Sequence, residues 1–204
     1  KDVSLDILNT FSTLDVEGTA DGRFQVASLQ DQATLTGSLH VDALGINDFP
    51  IGEIDLSAEM DGRDLRLNLE NFFNEQKKIA IDGTVDLDSE NLDFDAKLTQ
   101  ANLVIFEPFL SMYISNLGGT LSGNLQLQGN LDNPELIGSA RVEQGKLRIN
   151  YMNTFYQLDG SLLFRPTQVS FQDLAFRDSN GNRATFVGGI NHQGFASIFL
   201  DINS

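Results

Sequence analysis

Apolar and polar residues alternate around one glycine in the segment Leu121-Ser122-Gly123-Asn124-Leu125-Gln126-Leu127. In a β-strand, alternate side chains share a face, so Gly123 lies in the same row as the three leucines. A glycine in an apolar row lets a sheet bend, or lets another group approach the backbone closely. The segment therefore predicts a strand whose apolar face curves at its glycine.

The same order of residue types recurs along the chain. Further copies lie at 35–41, 81–87, 136–142 and 158–164, and a partial copy lies at 186–192. Strict alternation extends through most of the remaining sequence, with short polar turns between the alternating segments. Such strands and turns are typical of antiparallel hairpins. The predicted fold class is all-β: one elongated, curved antiparallel sheet folded into a taco-like groove with a hydrophobic interior.

The composition limits the classes of function. The chain has 204 residues, a net charge of −16 and no cysteine. This charge argues against nucleic acid as a partner and against docking flat on an anionic membrane. The lack of cysteine excludes a disulfide scaffold and a thiolate zinc site. Lys1 is not an initiator methionine, and no apolar run approaches the ~20 residues of a membrane helix, so we interpret the chain as a fragment of a longer protein.

One segment departs from the alternation. Pro108 opens it, apolar residues then recur at helical spacing, and Gly118-Gly119 closes it. Because proline suits the first turn of a helix and glycine suits its end, the pattern predicts a short helix over 108–117. The rest of the chain is uniform, and we expect a single elongated domain over 1–204 whose candidate seam lies near 105–120.

Short motifs follow one another in a fixed order between about residue 103 and residue 200. They are the Pro-Phe-Leu segment at 108–110, Gly119-Thr120-Leu121-Ser122-Gly123-Asn124-Leu125, Gly129-Asn130-Leu131-Asp132-Asn133-Pro134-Glu135-Leu136-Ile137-Gly138, Gly145-Lys146-Leu147-Arg148-Ile149-Asn150-Tyr151, Asp178-Ser179-Asn180-Gly181-Asn182-Arg183-Ala184 and Gly188-Gly189-Ile190-Asn191-His192-Gln193-Gly194-Phe195. This order resembles the C-terminal region of the TamB family of bacterial envelope proteins, within the AsmA-like superfamily. The N-terminal half is similar to that family only in style.

The resemblance implies a location and a function that composition alone does not. It implies a periplasmic protein that is anchored to the inner membrane by an N-terminal helix and that spans the periplasm as a β-taco with a hydrophobic groove. It further implies a role in phospholipid transport to the outer membrane and in outer-membrane protein assembly. The implied ligands are phospholipid acyl chains. The implied partner is the outer-membrane assembly barrel protein of the same system, bound through regions outside this chain, where the anchor also lies.

Candidate catalytic and metal-binding residues are sparse. His40 and His192 lie in alternating segments without a nucleophile motif, so we interpret both as structural or surface residues. The acidic run at 86–90 lacks the glycine and the twelfth-position acid of a calcium loop, and we interpret it as a hairpin turn. The segment at 178–182 receives the same interpretation, with weak calcium binding at these turns left open. No catalytic residue, metal or cofactor is predicted.

The apolar rows of the second half of the chain are the candidate binding surface. A non-polar path lowers the free-energy cost of moving acyl carbons past water, by ~0.8 kcal/mol per CH₂ group. The predicted lipid-binding residues are Leu121, Leu125, Leu127, Leu136, Val142, Leu147, Ile149, Leu158, Leu162, Phe164, Phe171, Phe186 and Ile190. The glycines predicted to set the curvature are Gly123, Gly138, Gly160 and Gly188.

Two other classes of protein share this alternation. A closed β-sandwich, as in an adhesin or a carbohydrate-binding module with no lipid role, would bury the same rows in a dry core. An outer-membrane barrel needs strands of ~9–11 residues and girdles of Trp and Tyr, whereas the segments here predict ~7 residues and the chain has no Trp. The open edges of a groove, near Val3–Ile7 and Ala196–Ile202, predict end-to-end self-association.

Overall fold

The structure is a computed structural model that describes residues 3–6, 15–27, 34–46, 49–111, 113–178, 181, 183–193 and 197–203. Side chains are described for these residues except 108, 109, 172, 174, 178, 183, 184, 186, 187, 190, 192, 193 and 197–203. Within this part the fold is all-β, as predicted. Thirteen strands form one large antiparallel sheet in chain order, and in that order the sheet is not closed into a barrel.

The chain divides into two compact units, Lys1–Ala96 with Gly129–Leu131, and Lys97–Gln128 with Asp132–Ser204. The strands of the first unit are β1 (Val3–Ser4), β2 (Val16–Ala27), β3 (Thr34–Ile46), β4 (Phe49–Asp61), β5 (Asp64–Phe73) and β6 (Gln76–Asp86), and β7 (Asn91–Asn102) contains the boundary. The second unit continues with a 3₁₀ helix (Leu103–Phe106), α1 (Glu107–Leu110), β8 (Ile114–Asn130), β9 (Asn133–Ile149), β10 (Thr154–Arg165), β11 (Gln168–Asp178), β12 (Arg183–Gln193) and β13 (Ser197–Asn203).

The strands are longer than the ~7 residues that the alternating segments predict. Strands β8 and β9 each span 17 residues, and β5, one of the shorter strands, spans 10. The prediction of short strands is wrong because it counted only uninterrupted alternation. The strands in fact continue through irregular positions where the alternation changes phase.

Irregular pairing within the second unit is concentrated where β9 and β11 flank β10. Val142 pairs with Gly160 and Gly145 pairs with Leu158, so β9 has one more residue than β10 between these pairs. Gln144, inside this interval, adopts a left-handed φ of 51°. An extra residue of this kind is a β-bulge, which bends its strand and increases the local twist. The bulge also explains why residues on both sides of Gln144 keep their apolar side chains on one face although their sequence parity differs.

The first unit bends in the same way at β3 and β4. Val41 pairs with Ile54 and Leu44 pairs with Gly52, which leaves an extra residue on β3. Ala43 lies in this interval with a φ of 50°. The pairing irregularity therefore recurs in both units, and each bend is built from its own unit's residues.

The predicted helix over 108–117 is wrong in its extent. The helix α1 covers only Glu107–Leu110, and β8 already begins at Ile114. The buried Glu107 side chain accepts the backbone N–H groups of Asn116 (2.8 Å) and Leu117 (2.7 Å). These bonds fix the start of the strand beside the helix, so the chain cannot continue the helix through 117.

Gly123 provides a test of how closely β8 and β9 approach. A Cβ atom at Gly123 would lie 2.3 Å from the Ser139 carbonyl oxygen, whereas one at Gly118 would meet nothing within 4 Å in the described part of the chain. We expect Gly123→Ala to lower the free energy of unfolding by ~1–3 kcal/mol because backbone must move apart. Gly118→Ala, on the same strand, should change it by less than about 0.5 kcal/mol.

Urea denaturation of the two variants and the parent measures this difference. Equal unfolding free energies for Gly123→Ala and the parent would show that the close approach at Gly123 does not constrain the sheet.

Candidate hydrophobic groove

Strands β9, β10 and β11 bring the predicted groove residues onto one face of the second unit. Leu162 pairs with Ala140 on one side and with Phe171 on the other. Leu147 pairs with Tyr156 on the same face, beyond the bulge. Because directly paired residues share a face, the register places these side chains in adjacent rows. The register therefore brings the predicted residues of β9, β10 and β11 onto a common face.

This face is only partly covered. Leu121, Val142 and Leu158 are buried, with exposed fractions of 5, 2 and 7 %. The half-buried members are Leu125, Leu127, Leu136, Leu147, Ile149, Leu162, Phe164 and Phe171. Among the described residues, no large side chain is less than 2 % exposed. A closed core of this size packs large aliphatic side chains completely, so the partial exposure of these rows differs from that of a closed core.

Two predicted groove residues and both predicted edges fall partly outside the described structure. Phe186 and Ile190 lie in β12, and their side chains are outside the described part. The backbone of Gly188 pairs with Phe171. Of the two predicted edges, β1 and β13 are the outer strands in the sheet order, while Ile7 and Ala196 are outside the described residues.

The curvature glycines differ in what surrounds them. Gly138 has a φ of +132°, and a Cβ there would lie 2.3 Å from the Asn124 carbonyl oxygen. Gly160 lies at the bulge, paired with Val142. A side chain at Gly138 or Gly160 would therefore obstruct the bend of the sheet.

A second apolar face lies in the first unit, and the list of candidate residues omitted it. The row Leu39, Leu56, Leu69 and Ile81 crosses four strands by direct pairing. All four side chains are half-buried. The signal was present in the sequence, since these strands alternate as regularly as β8–β11. They were omitted because the resemblance covered only the second half of the chain.

One buried polar residue interrupts this second face. Asn71 is 3 % exposed and pairs with Ile54 on the apolar side of the sheet. Its Nδ2 donates to the carbonyl oxygens of Ile51 (2.9 Å) and Glu53 (3.2 Å). The intervening Gly52 has a φ of +102°, which turns its neighbours' carbonyl groups away from a regular ladder. Asn71 therefore satisfies backbone acceptors at the bend, and alternation alone did not predict it.

His40 lies on the surface of the first unit, as predicted. Its Nδ1 is 2.6 Å from Asp55 Oδ1 and its Nε2 is 3.2 Å from Asp42 Oδ1. The hydrogen bonds to Asp55 and then to Asp42 raise the pKa of His40 above its ordinary value. The side chain is 45 % exposed. Two carboxylates that stabilise the imidazolium make a surface ion-pair cluster and leave no free ring nitrogen for a nucleophile.

The acidic run at 86–90 forms a turn, as predicted. Asp86 Oδ1 accepts the backbone N–H groups of Asp88 (2.9 Å) and Ser89 (3.0 Å). The bonds from Ser89 and Asp88 lower the pKa of Asp86 because they stabilise its ionised form. In the described part of the chain, no group of three or more His, Asp or Glu side chains is arranged to hold a metal ion.

The His40 cluster predicts a pH-dependent stability of the first unit. Histidine has an ordinary pKa of ~6.5, and the folded-state pKa of His40 is higher. The stabilisation is therefore complete below pH ~6.5 and is lost as the pH rises through the folded-state pKa. Denaturant unfolding of the parent should give a free energy of unfolding that declines as the pH rises above ~6.5. This decline should be absent in His40→Gln and present in the control His192→Gln. An NMR titration that gives His40 a pKa at or below ~6.5 would contradict the assignment.

Residues 47–142 match the family model described as TamB, N-terminal domain. The match supports the TamB family, and it corrects the expectation of a C-terminal region. The reason for the error is physical: Gly-x-Leu hairpins recur throughout such a sheet, so their local order does not distinguish one part of it from another. Curated proteins and solved structures gave no significant match.

Two general properties accompany this family. Its members are typically periplasmic, and the family is not known to be catalytic. Among the described residues of this chain, no helix has the length and apolar character needed to span a bilayer.

Proposed function

We propose that this TamB-family chain is a periplasmic groove module that holds phospholipid acyl chains and lets them pass between the inner and outer membranes. The observation that carries the proposal is the half-buried apolar face of β8–β11, where Leu125, Leu147 and Leu162 are neither buried nor fully exposed. A side chain in this state loses contact with water when an acyl chain lies on it. Occupancy by lipid therefore supplies the burial that the protein alone does not.

The mechanism requires no chemical step within this chain. Each CH₂ group that moves from water onto an apolar surface gains ~0.8 kcal/mol. A face of repeated Leu, Ile and Phe offers this gain at every row. The free energy of a bound acyl chain is therefore similar at neighbouring rows, and the lipid moves between them. Directional transport would then depend on supply at one membrane and removal at the other.

The apolar face of the first unit supports the same role. Leu39, Leu56 and Leu69 pair directly and are half-buried. The family match, residues 47–142, covers β4–β6 of this unit and the start of the second. We therefore extend the proposed lipid-binding surface to β3–β6. Each unit would hold acyl carbons against its own face.

The family also provides the cellular setting of the proposal. TamB belongs to a translocation and assembly system, which links it to outer-membrane biogenesis. We propose that the inner-membrane anchor and the contact with the assembly barrel protein of that system lie in other parts of the full-length protein. This chain would contribute the path between them.

Charged substitutions within the face test the proposal. We expect Leu125→Asp and Leu147→Asp to leave the protein folded and to lower binding of a fluorescent fatty acid by about tenfold or more, because the carboxylate hydrates in an empty trough but repels an acyl chain. Melting curves and lipid-binding isotherms should be recorded for each variant.

The matched controls are Asn124→Asp and Ser139→Asp, which add the same charge at exposed positions of β8 and β9. Both controls should bind the probe like the parent. Folded Leu→Asp variants that bind like the parent would remove the groove assignment. Unfolding of both Leu→Asp variants would instead favour a closed sandwich with a dry core.

A further inference from the structure

An exposed aromatic edge lies at the turn between β9 and β10 in the second unit. We define the aromatic edge by five side chains: Leu110, Tyr113, Tyr151, Met152 and Phe155, which are 39, 59, 98, 51 and 51 % exposed. The backbone N–H of Asn150 donates to the Tyr113 carbonyl over 3.0 Å, and Asn150 Nδ2 donates to the Ser111 carbonyl over 2.9 Å. Two segments that are distant in sequence therefore meet at one edge.

The residue types at this edge are unusual for the chain. It has three tyrosines in all, of which Tyr113 and Tyr151 belong to the edge and Tyr156 follows it in β10. Tyr151 is almost fully exposed, and its ring has no packing role that would explain its presence at the tip of a turn. Exposed aromatic and aliphatic residues in one patch mark a surface that meets a partner.

The charge around the edge differs from that of the whole protein. Residues 144–158 contain no Asp or Glu, in a chain that has 29 acidic residues, and they include Lys146 and Arg148. Arg148 pairs with Phe155 and its Cζ lies 5.9 Å from the centre of that ring. In the described part of the chain, neither Lys146 nor Arg148 is ion-paired with a carboxylate. The edge is therefore locally basic.

We propose that the aromatic edge inserts into the headgroup region of a phospholipid bilayer, with Lys146 and Arg148 on the lipid phosphates. Tyrosine suits this region because its ring is apolar and its hydroxyl group remains in the hydrated layer. Arg148 is three residues from Tyr151, which is at most about 10 Å along an extended strand. Interfacial anchors enter a bilayer by ~5–10 Å, so Arg148 reaches the phosphates when the tip is inserted. Lys146 lies two residues further from the tip on the same strand.

A bilayer fits these features better than a protein partner. Tyrosine and methionine lie at the tip, and the cationic residues lie behind them. This order matches a membrane, where the acyl boundary lies deeper than the phosphates. The net charge of −16 disfavours a flat approach of the sheet, but an approach by this edge presents an acid-free segment first. The contact does not require lipid in the groove, so the two proposals fail independently.

The absence of tryptophan from the chain allows a site-specific test. Tyr151→Trp places one fluorophore at the tip, and Leu131→Trp places one at the β8–β9 turn, where Leu131 is 53 % exposed. With vesicles of phosphatidylethanolamine and phosphatidylglycerol, the emission of Tyr151→Trp should shift to shorter wavelength and be quenched by brominated acyl chains. The emission of Leu131→Trp should not change. No shift for Tyr151→Trp, or an equal shift for both variants, would overturn the proposal.

The basic residues are tested by vesicle flotation. We expect Lys146→Gln and Arg148→Gln each to lower partition onto these vesicles by about fivefold, equivalent to ~1 kcal/mol. Arg141→Gln is the control on β9, since Arg141 lies 3.7 Å from Glu143. Equal losses for all three variants would show a general charge effect and contradict a specific contact.

Leu125→Asp separates this proposal from the groove assignment. It should float with vesicles like the parent even when its binding of a soluble fatty-acid probe falls. If the emission of Tyr151→Trp shifts only when another envelope protein is added and never with vesicles, the edge is a protein interface and the bilayer proposal is wrong.

Discussion

A β-bulge adds one residue to a strand. Apolar side chains therefore stay on one face only if they move from odd to even positions, or the reverse, across the bulge. This constraint shapes every long strand in which a bulge is described. On β9, Val142 and Gly145 face the same side although an odd number of positions separates them. On β7, Leu98 and Ala101 are buried on either side of Gln100, whose φ is 49°. The inserted residue bends the backbone, and the phase change keeps the apolar face continuous through the bend.

The bends depend in turn on polar side chains that replace lost ladder bonds. Backbone N–H groups at Gln100 and Gln144 donate to Ser122 Oγ (2.9 Å) and Asp159 Oδ1 (2.7 Å). Asn71 performs the complementary task for carbonyl groups in the first unit. The Asn71 bond to the Ile51 carbonyl is buried, and an unpaired buried backbone group costs ~1–3 kcal/mol. Asn71 is therefore a structural requirement of the bend at Gly52, whereas the bonds at Gln100 and Gln144 lie at exposed positions.

Alternation was sufficient to predict the fold class and, between bulges, which apolar residues share a face. It could not give strand lengths, because a phase change in the sequence looks the same whether the strand ends or bulges. The turn at Asp86 was predictable from local chemistry, since a carboxylate that accepts two backbone N–H groups needs only its neighbours. The roles of Glu107 and Asn71 depend on residues 9 to 20 positions away, and no local pattern records such contacts.

The residues of the candidate site could be predicted only as members of an apolar face. The rows of β8–β11 follow from parity, and the same parity holds for the rows of β3–β6, which the resemblance did not cover. Exposure was beyond the sequence altogether: Val142 and Leu147 are both aliphatic, yet one is 2 % exposed and the other is half-buried. Val142 pairs with Gly160 at the bulge, whereas Leu147 pairs with Tyr156 beyond it.

An apolar face of this kind exposes the protein to self-association, and the distribution of charge opposes it. The net charge of the chain is −16, so two copies that approach each other repel before their apolar rows meet. Such repulsion would also exclude the phosphates of a lipid bilayer if it were uniform over the surface. The acid-free segment at 144–158, with Lys146 and Arg148, reduces this repulsion at the aromatic edge. A protein that must remain soluble and still meet lipid has to concentrate its affinity for the bilayer in a small area, and this edge has the composition and the exposure that such an area requires.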